Sequence, residues 1–164
     1  MCGFYGIIDF EGEISAQDKI DVSQGADLAK YRGPDDSRMF SNKFICIKFN
    51  RLSIIDLSAE CQPFISENEN TILVCNGEIY NFIQLKKQLI QKNYNFKSNN
   101  DIEVLLHGYE EWGEQLFNKI QGMFSLVIWD KLKRKAFMVR DHIGIKPLHY
   151  KIFNKKIYFS TDYN

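Results

Sequence analysis

The distribution of hydrophobic period along the chain constrains its fold more than any other feature. Short apolar, β-prone runs lie toward both ends, at about 4–10, 37–41, 44–50, 71–75, 123–129, 136–139, 150–153 and 157–160. Between them lie two helical stripes. Phe82, Leu85 and Leu89 share one helical face behind Asn81, which reads as an N-cap. Ile102, Leu105, Leu106, Tyr109 and Trp112 form a second stripe, closed by Gly113, and a short helix can continue through 116–120. A looser pattern (Ile20, Val22, Ala26, Leu28) predicts a further helix at about 21–30. The turns are polar: Glu11-Gly12-Glu13, 62–70, 130–133 and Asn154-Lys155-Lys156. The 164 residues suit one domain with a proper hydrophobic core.

Charge and composition exclude several classes of function. Lys+Arg and Asp+Glu each number 21, so net charge gives no case for nucleic acid or an anionic membrane surface. No apolar run approaches the roughly 20 residues of a membrane helix. The N-terminus has no basic segment leading into an apolar one, so no signal peptide is read there. The four cysteines, Cys2, Cys46, Cys61 and Cys75, form no CxxC pair and have no histidine at zinc spacing. They fit free thiols in a reducing cytoplasm, with no metal site. His142 is a single histidine with no metal partners in sequence and reads as structural. No Gly-rich phosphate loop ending in Gly-Lys-Ser/Thr is present.

Four stretches carry chemistry. Removal of Met1 would leave Cys2 N-terminal, with an attacking thiol and a free α-amine base on one residue. The intrinsic pKa of that amine is roughly 7.7–8.0, so much of it is neutral near physiological pH. The alternative is a small apolar residue on a first strand. Arg51, beside the apolar run 52–57, either snorkels to solvent or grips a carboxylate by a bidentate fork. The strand 71–75 is expected to end at Asn76-Gly77-Glu78, in a turn leading to a helix. An amide side chain and a glycine N–H there are the two donors an oxyanion hole requires; a hairpin turn is the alternative. Asp101 is either an N-cap or first-turn acid, or a partner for a substrate ammonium group. Tyr31-Arg32-Gly33-Pro34-Asp35-Asp36 reads as a rigid loop at the surface.

In order along the chain, Cys2-Gly3-Phe4-Tyr5-Gly6-Ile7, Tyr31-Arg32-Gly33-Pro34-Asp35, Arg51-Leu52-Ser53-Ile54-Ile55-Asp56, Asn76-Gly77-Glu78-Ile79-Tyr80-Asn81, Asp101 with Glu103, Gln121-Gly122-Met123-Phe124 and Arg140-Asp141-His142-Ile143-Gly144 form a pattern. It resembles the class II (N-terminal nucleophile) glutamine amidotransferase domain of glutamine-hydrolysing asparagine synthetase. The resemblance runs over 2–159 and implies one such domain across 1–164. It implies an α+β fold, a four-layer αββα sandwich of two antiparallel sheets flanked by helices. Cys2 would attack the side-chain amide of glutamine, forming a thioester and releasing ammonia, and water would then release glutamate. Asn76 and Gly77 would form the oxyanion hole. Arg51 would hold the glutamine α-carboxylate, Glu78 and Asp101 would lie at its α-ammonium end, and Leu52, Ser53, Ile54 and Ile55 would line the pocket.

The chain departs from that pattern in places. Phe49 and Tyr31 stand where the family usually has histidine, and Asn99-Asn100 where it has Gly-Ser or Gly-Thr. Phe159-Ser160-Thr161-Asp162 stands where it reads roughly Ala-Ser-Glu. The family continues into an ATP-using synthetase domain that these residues do not contain. ATP and Mg are therefore expected in that domain or in a partner subunit, which would receive the ammonia and amidate aspartate, and no cofactor is expected here. The alternatives are the same glutaminase chemistry serving another acceptor, and a non-catalytic glutamine-binding module.

Overall fold

A computed structural model describes residues 2–11, 13–52 and 61–163. The first sheet contains β1 (Gly3–Asp9), β2 (Asp36–Ser41), β3 (Ile45–Arg51), β8 (His149–Phe153) and β9 (Lys156–Ser160), in the order β2-β3-β1-β9-β8. The second contains β4 (Phe64–Ile65), β5 (Thr71–Ile79), β6 (Gly122–Asp130) and β7 (Lys135–Arg140), in that order. Every pairing is antiparallel. Among the described residues, three α-helices complete the fold: α1 (Ala16–Leu28), α2 (Phe82–Ile90) and α3 (Glu103–Trp112).

The layers follow from strand parity. On β1 and β3, Phe4, Ile8, Ile45, Ile47 and Phe49 pack against Ile72 and Val74 of β5 and Val127 and Trp129 of β6, forming the layer between the sheets. The alternate residues Ile7 and Cys46 face outward onto Val22 of α1. Leu73, Cys75, Leu126 and Ile128 face the other way, onto Leu85 and Leu89 of α2 and Leu105, Leu106 and Tyr109 of α3. The result is the expected four-layer αββα sandwich. Continuous apolar runs suit both sheets because each is covered on two faces.

Several elements differ from their sequence readings. Helix α1 starts at Ala16, five residues before the predicted 21. A Ser15–Asp18 capping box starts it: Asp18 N–H donates to Ser15 Oγ at 3.1 Å, and Ser15 N–H to Asp18 Oδ2 at 2.7 Å. Only Asp18, Val22 and Ala26 of this helix are buried, a stripe too thin to register as apolar periodicity. Residues 62–70 include the short strand β4, anchored by Phe64↔Leu73 and Ile65↔Ile72. Asn81 precedes α2 without capping it through its side chain. Its amide instead donates to Lys119 C=O at 2.8 Å and accepts from Gln121 N–H at 3.0 Å, tying α2 to the approach to β6. The continuation after α3 is a 3-10 turn, Gly113–Asn118. His142 is exposed on the loop after β7 and has no core role.

Candidate active site

Three of the expected site residues are the next inward positions of stripes that build the inter-sheet core. Cys2 extends the Phe4–Ile8 stripe and packs against the same cluster. Arg51 follows Ile45, Ile47 and Phe49 on β3. Asn76 follows Ile72 and Val74 on β5, and Glu78 comes next. Because side chains alternate by two, all four lie on the inter-sheet side at one end of the sandwich. There, where the core runs out, the chain substitutes a thiol, a guanidinium, an amide and a carboxylate for hydrophobes.

The nucleophile candidate is tied directly to the pocket segment. Leu52 N–H donates to Cys2 Sγ at 3.4 Å, and the thiol points back to Leu52 C=O at 3.6 Å. Arg51 and Leu52 are thereby brought beside Cys2, while Ser53, Ile54 and Ile55 lie outside the described residues. Cys2 is half-buried, whereas Cys46, Cys61 and Cys75 are buried. Burial pushes all three of those thiols up, Cys61 to about 12 and Cys75 well above the ordinary value, so they remain protonated at neutral pH.

Asn76 and Gly77 do not form the expected turn. Strand β5 continues through Ile79, with Asn76↔Ser125, Gly77↔Phe124 and Glu78↔Met123 in register with β6. An Asn-Gly pair signals a turn locally, but a nine-residue ladder with β6 overrides it. Gly77 is there because β6 leaves no room: an added Cβ would meet Met123 C=O at 2.1 Å and Phe124 Cα at 2.6 Å. Asn76 is 2% exposed, and its Nδ2 finds no acceptor among the described residues. An unpaired buried amide donor is costly and is retained where it has a further use. A developing oxyanion is one acceptor that such a donor could serve.

Asp101 is not the helix cap; Ile102 occupies that position. Its carboxylate instead accepts Ile79 N–H at 2.8 Å, joining the start of α3 to the strand that carries Asn76 and Glu78. Burial raises its pKa, and the nearby Glu78 adds to this against the backbone donors that oppose it.

Sequence reasoning missed two supports. Arg32-Gly33-Pro34-Asp35 is the back wall of the site. Gly33 packs on the backbone of Asn50 and Arg51, where a Cβ would meet Asn50 C=O at 2.3 Å and Arg51 N at 2.7 Å. Asp35 N–H donates to Arg51 C=O at 3.0 Å, and Arg32 Nε donates to Cys2 C=O at 3.4 Å. Gln62 replaces a missing strand residue: its amide donates to Cys75 C=O at 3.0 Å and accepts Cys75 N–H at 2.6 Å, immediately before Asn76. The motif's Gly-Pro punctuation announces a rigid loop, but nothing local reveals what it leans on.

Residues 1–164 match the family profile described as a glutamine amidotransferase domain. The chain belongs to this glutamine amidotransferase family. It is 42% identical over 99% of its length to asparagine synthetase [glutamine-hydrolyzing] 2 of Bacillus subtilis (strain 168), covering 22% of that protein. It is 37% identical to asparagine synthetase [glutamine-hydrolyzing] 1 of the same organism over 99% of the chain and 26% of the relative. To asparagine synthetase B [glutamine-hydrolyzing] of Escherichia coli (strain K12) it is 33% identical over 91% of the chain and 26% of the relative. The chain thus spans about a quarter of the length of these relatives. The solved glutamine phosphoribosylpyrophosphate (PRPP) amidotransferase from B. subtilis, complexed with ADP and GMP, superposes with a TM-score of 0.75 at 19% identity, over 98% of this chain and 42% of that one. A second structure, an allosteric regulatory enzyme of purine biosynthesis, gives 0.77 at 21% identity over the same shares. These two show the fold of the amidotransferase domain. Among the described residues, no helix is long and apolar enough to cross a membrane, and no group of three His, Cys, Asp or Glu is placed to hold a metal.

Proposed function

We propose that this amidotransferase domain is the glutaminase half of an asparagine synthetase-type enzyme, hydrolysing glutamine to glutamate and ammonia. The placement of half-buried Cys2 against Leu52, with the unpaired Asn76 amide on the same inter-sheet side, carries the reading. With Met1 removed, the Cys2 α-amine takes the thiol proton and Sγ attacks the side-chain carbonyl carbon of glutamine. Asn76 Nδ2 and the Gly77 N–H receive the developing oxyanion. Collapse expels ammonia and leaves a thioester, which water hydrolyses to glutamate and free thiol. Arg51 grips the α-carboxylate, and Asp101 with Glu78 receives the α-ammonium group. Leu52, bound to the Cys2 thiol, lines the pocket.

The ammonia passes to a synthetase domain or partner subunit that uses ATP and Mg to amidate aspartate, within the cytoplasm. The asparagine synthetase relatives support this acceptor over others.

Glutamate release from glutamine, measured on protein whose intact mass shows loss of Met1, tests the proposal. Turnover by the processed protein and its loss by several orders of magnitude in Cys2→Ala are expected. Retained hydrolysis in Cys2→Ala would overturn the mechanism. Glutamine binding without turnover in processed protein would instead identify a binding module.

A further inference from the structure

Tyr31 and Asp162, 131 residues apart along the chain, meet in space. The Tyr31 hydroxyl donates to Asp162 Oδ2. The same carboxylate oxygen lies 3.7 Å from Arg32 Nη1, with both side chains of that ion pair largely buried. Arg32 Nε, on the other edge of the guanidinium, donates to Cys2 C=O.

The segment carrying Asp162 is itself bound to the strand that carries Cys2. Phe4 N–H donates to Thr161 Oγ1 at 3.0 Å, and Thr161 N–H donates to Phe4 C=O at 3.1 Å. The Arg32 stem packs beside Gly3, with Cδ 3.4 Å from where a Cβ would stand, an ordinary van der Waals contact. A guanidinium fixed on one edge by a carboxylate presents its other edge in a set direction, because the group is planar.

We propose that Asp162 and Tyr31 are positioning residues for the nucleophile, orienting Arg32 so that it holds the Cys2 main chain, and with it the thiol and the α-amine, for attack. Both act through Arg32. The inference rests on the glutaminase reading for its effect on turnover, and on geometry alone for its effect on Cys2.

The test uses Met1-processed protein and the variants Asp162→Asn, Tyr31→Phe, Arg32→Ala, and Asp162→Asn with Arg32→Ala. Glutamine turnover and the rate of Cys2 alkylation by iodoacetamide, located by mass spectrometry, are both read. Asp162→Asn is expected to lower kcat about tenfold with KM within about twofold, as for a small misplacement of a reacting group. Adding Asp162→Asn to Arg32→Ala lowers kcat no further, since both act through one contact. Tyr31→Phe removes one hydroxyl from a side chain that is 66% exposed, so it keeps the fold, and lowers kcat about twofold to threefold. Parental kcat in both Asp162→Asn and Tyr31→Phe, or additive losses in the double variant, would overturn the inference. If parental protein does not turn over glutamine, the glutaminase reading fails. The alkylation rate then decides this inference: a fall of about threefold in Asp162→Asn sustains it, and an unchanged rate ends it.

Discussion

Asp101 Oδ2 accepts the backbone N–H of Ile79 at 2.8 Å, so the acid proposed to hold a substrate ammonium also fixes the strand that carries the oxyanion donors. These two roles ask different things of the side chain. The bond to Ile79 needs only an acceptor, whereas the ammonium needs a charge. Burial raises the Asp101 pKa above the ordinary 3.8, so the native state binds this proton more tightly than the unfolded chain does. By linkage, this group's contribution to stability is fully present below the unfolded value and lost as pH rises through the folded one. Ionisation at neutral pH therefore costs stability. Asp101→Asn should keep the Ile79 bond and match or exceed parental melting temperature at pH 7. Its KM for glutamine should rise roughly tenfold to a hundredfold, as for loss of a charged hydrogen bond worth about 1.5–3 kcal/mol. Steady-state kinetics and a thermal melt on one sample check both halves.

How far the sequence could be read follows from the range of each signal. The β-prone runs and the stripe Ile102, Leu105, Leu106, Tyr109 are local patterns; they placed α3 and every strand but β4 to within a few residues. Cys2, Arg51 and Asn76 stood out as polar types at the ends of apolar runs, which is where the inter-sheet layer gives way to the site. Asn76-Gly77 misled because turn propensity is local while the ladder to Ser125 and Phe124 is not. Arg32, Gln62 and Asp162 were not legible as supports, because their partners lie 30, 13 and up to 131 residues away. No window along the chain contains both ends of such a contact.

The unpaired amide of Asn76 predicts a separation of activity from stability. Asn76→Ala removes one oxyanion donor, and kcat should fall on the order of 10²–10³ with little change in KM. It also removes a buried donor that lacks an acceptor among the described residues, which offsets the packing lost. The melting temperature should stay within a few degrees of the parent. A stability loss as large as that of a core truncation would mean that the amide is already satisfied and serves the fold.

Gly77 carries a steric constraint separate from its proposed N–H role. A methyl group there would strike Met123 C=O and Phe124 Cα, both backbone, so no side chain can swing aside. Gly122 makes the reciprocal approach, its Cβ position lying 2.1 Å from Glu78 C=O. Gly77→Ala and Gly122→Ala should each cost about 1–3 kcal/mol or more by forcing β5 and β6 apart. The double variant should cost less than the sum, because one separation of the strands relieves both clashes. Urea midpoints at constant slope measure this, and strict additivity would show that the two contacts are independent.

The far side of the molecule offers a pH test free of the active site. Burial alone would raise the Asp18 carboxyl, but hydrogen bonds from Lys156 and Ser15 outweigh it and hold its pKa below the ordinary 3.8. Lys156 Nζ approaches both carboxylate oxygens, at 2.9 and 2.6 Å, and joins α1 to β9 across the first sheet. The Lys156 pKa is raised in return, chiefly by its hydrogen bond to Asp18. For a depressed carboxylate, the stabilisation is present above the unfolded value and is lost as pH falls through the folded one. Parental stability should therefore decline below about pH 4 with a component that Asp18→Asn lacks. At pH 7 the variant should be less stable by about 1–2 kcal/mol, reflecting the lost charge pair with Lys156, because an amide oxygen can still accept the Ser15 N–H. Ser15→Ala should instead remove the cap, while Lys156 continues to hold Asp18 ionised to low pH. Equal acid profiles for parent and Asp18→Asn would show that the ion pair does not set the acid limit of the fold.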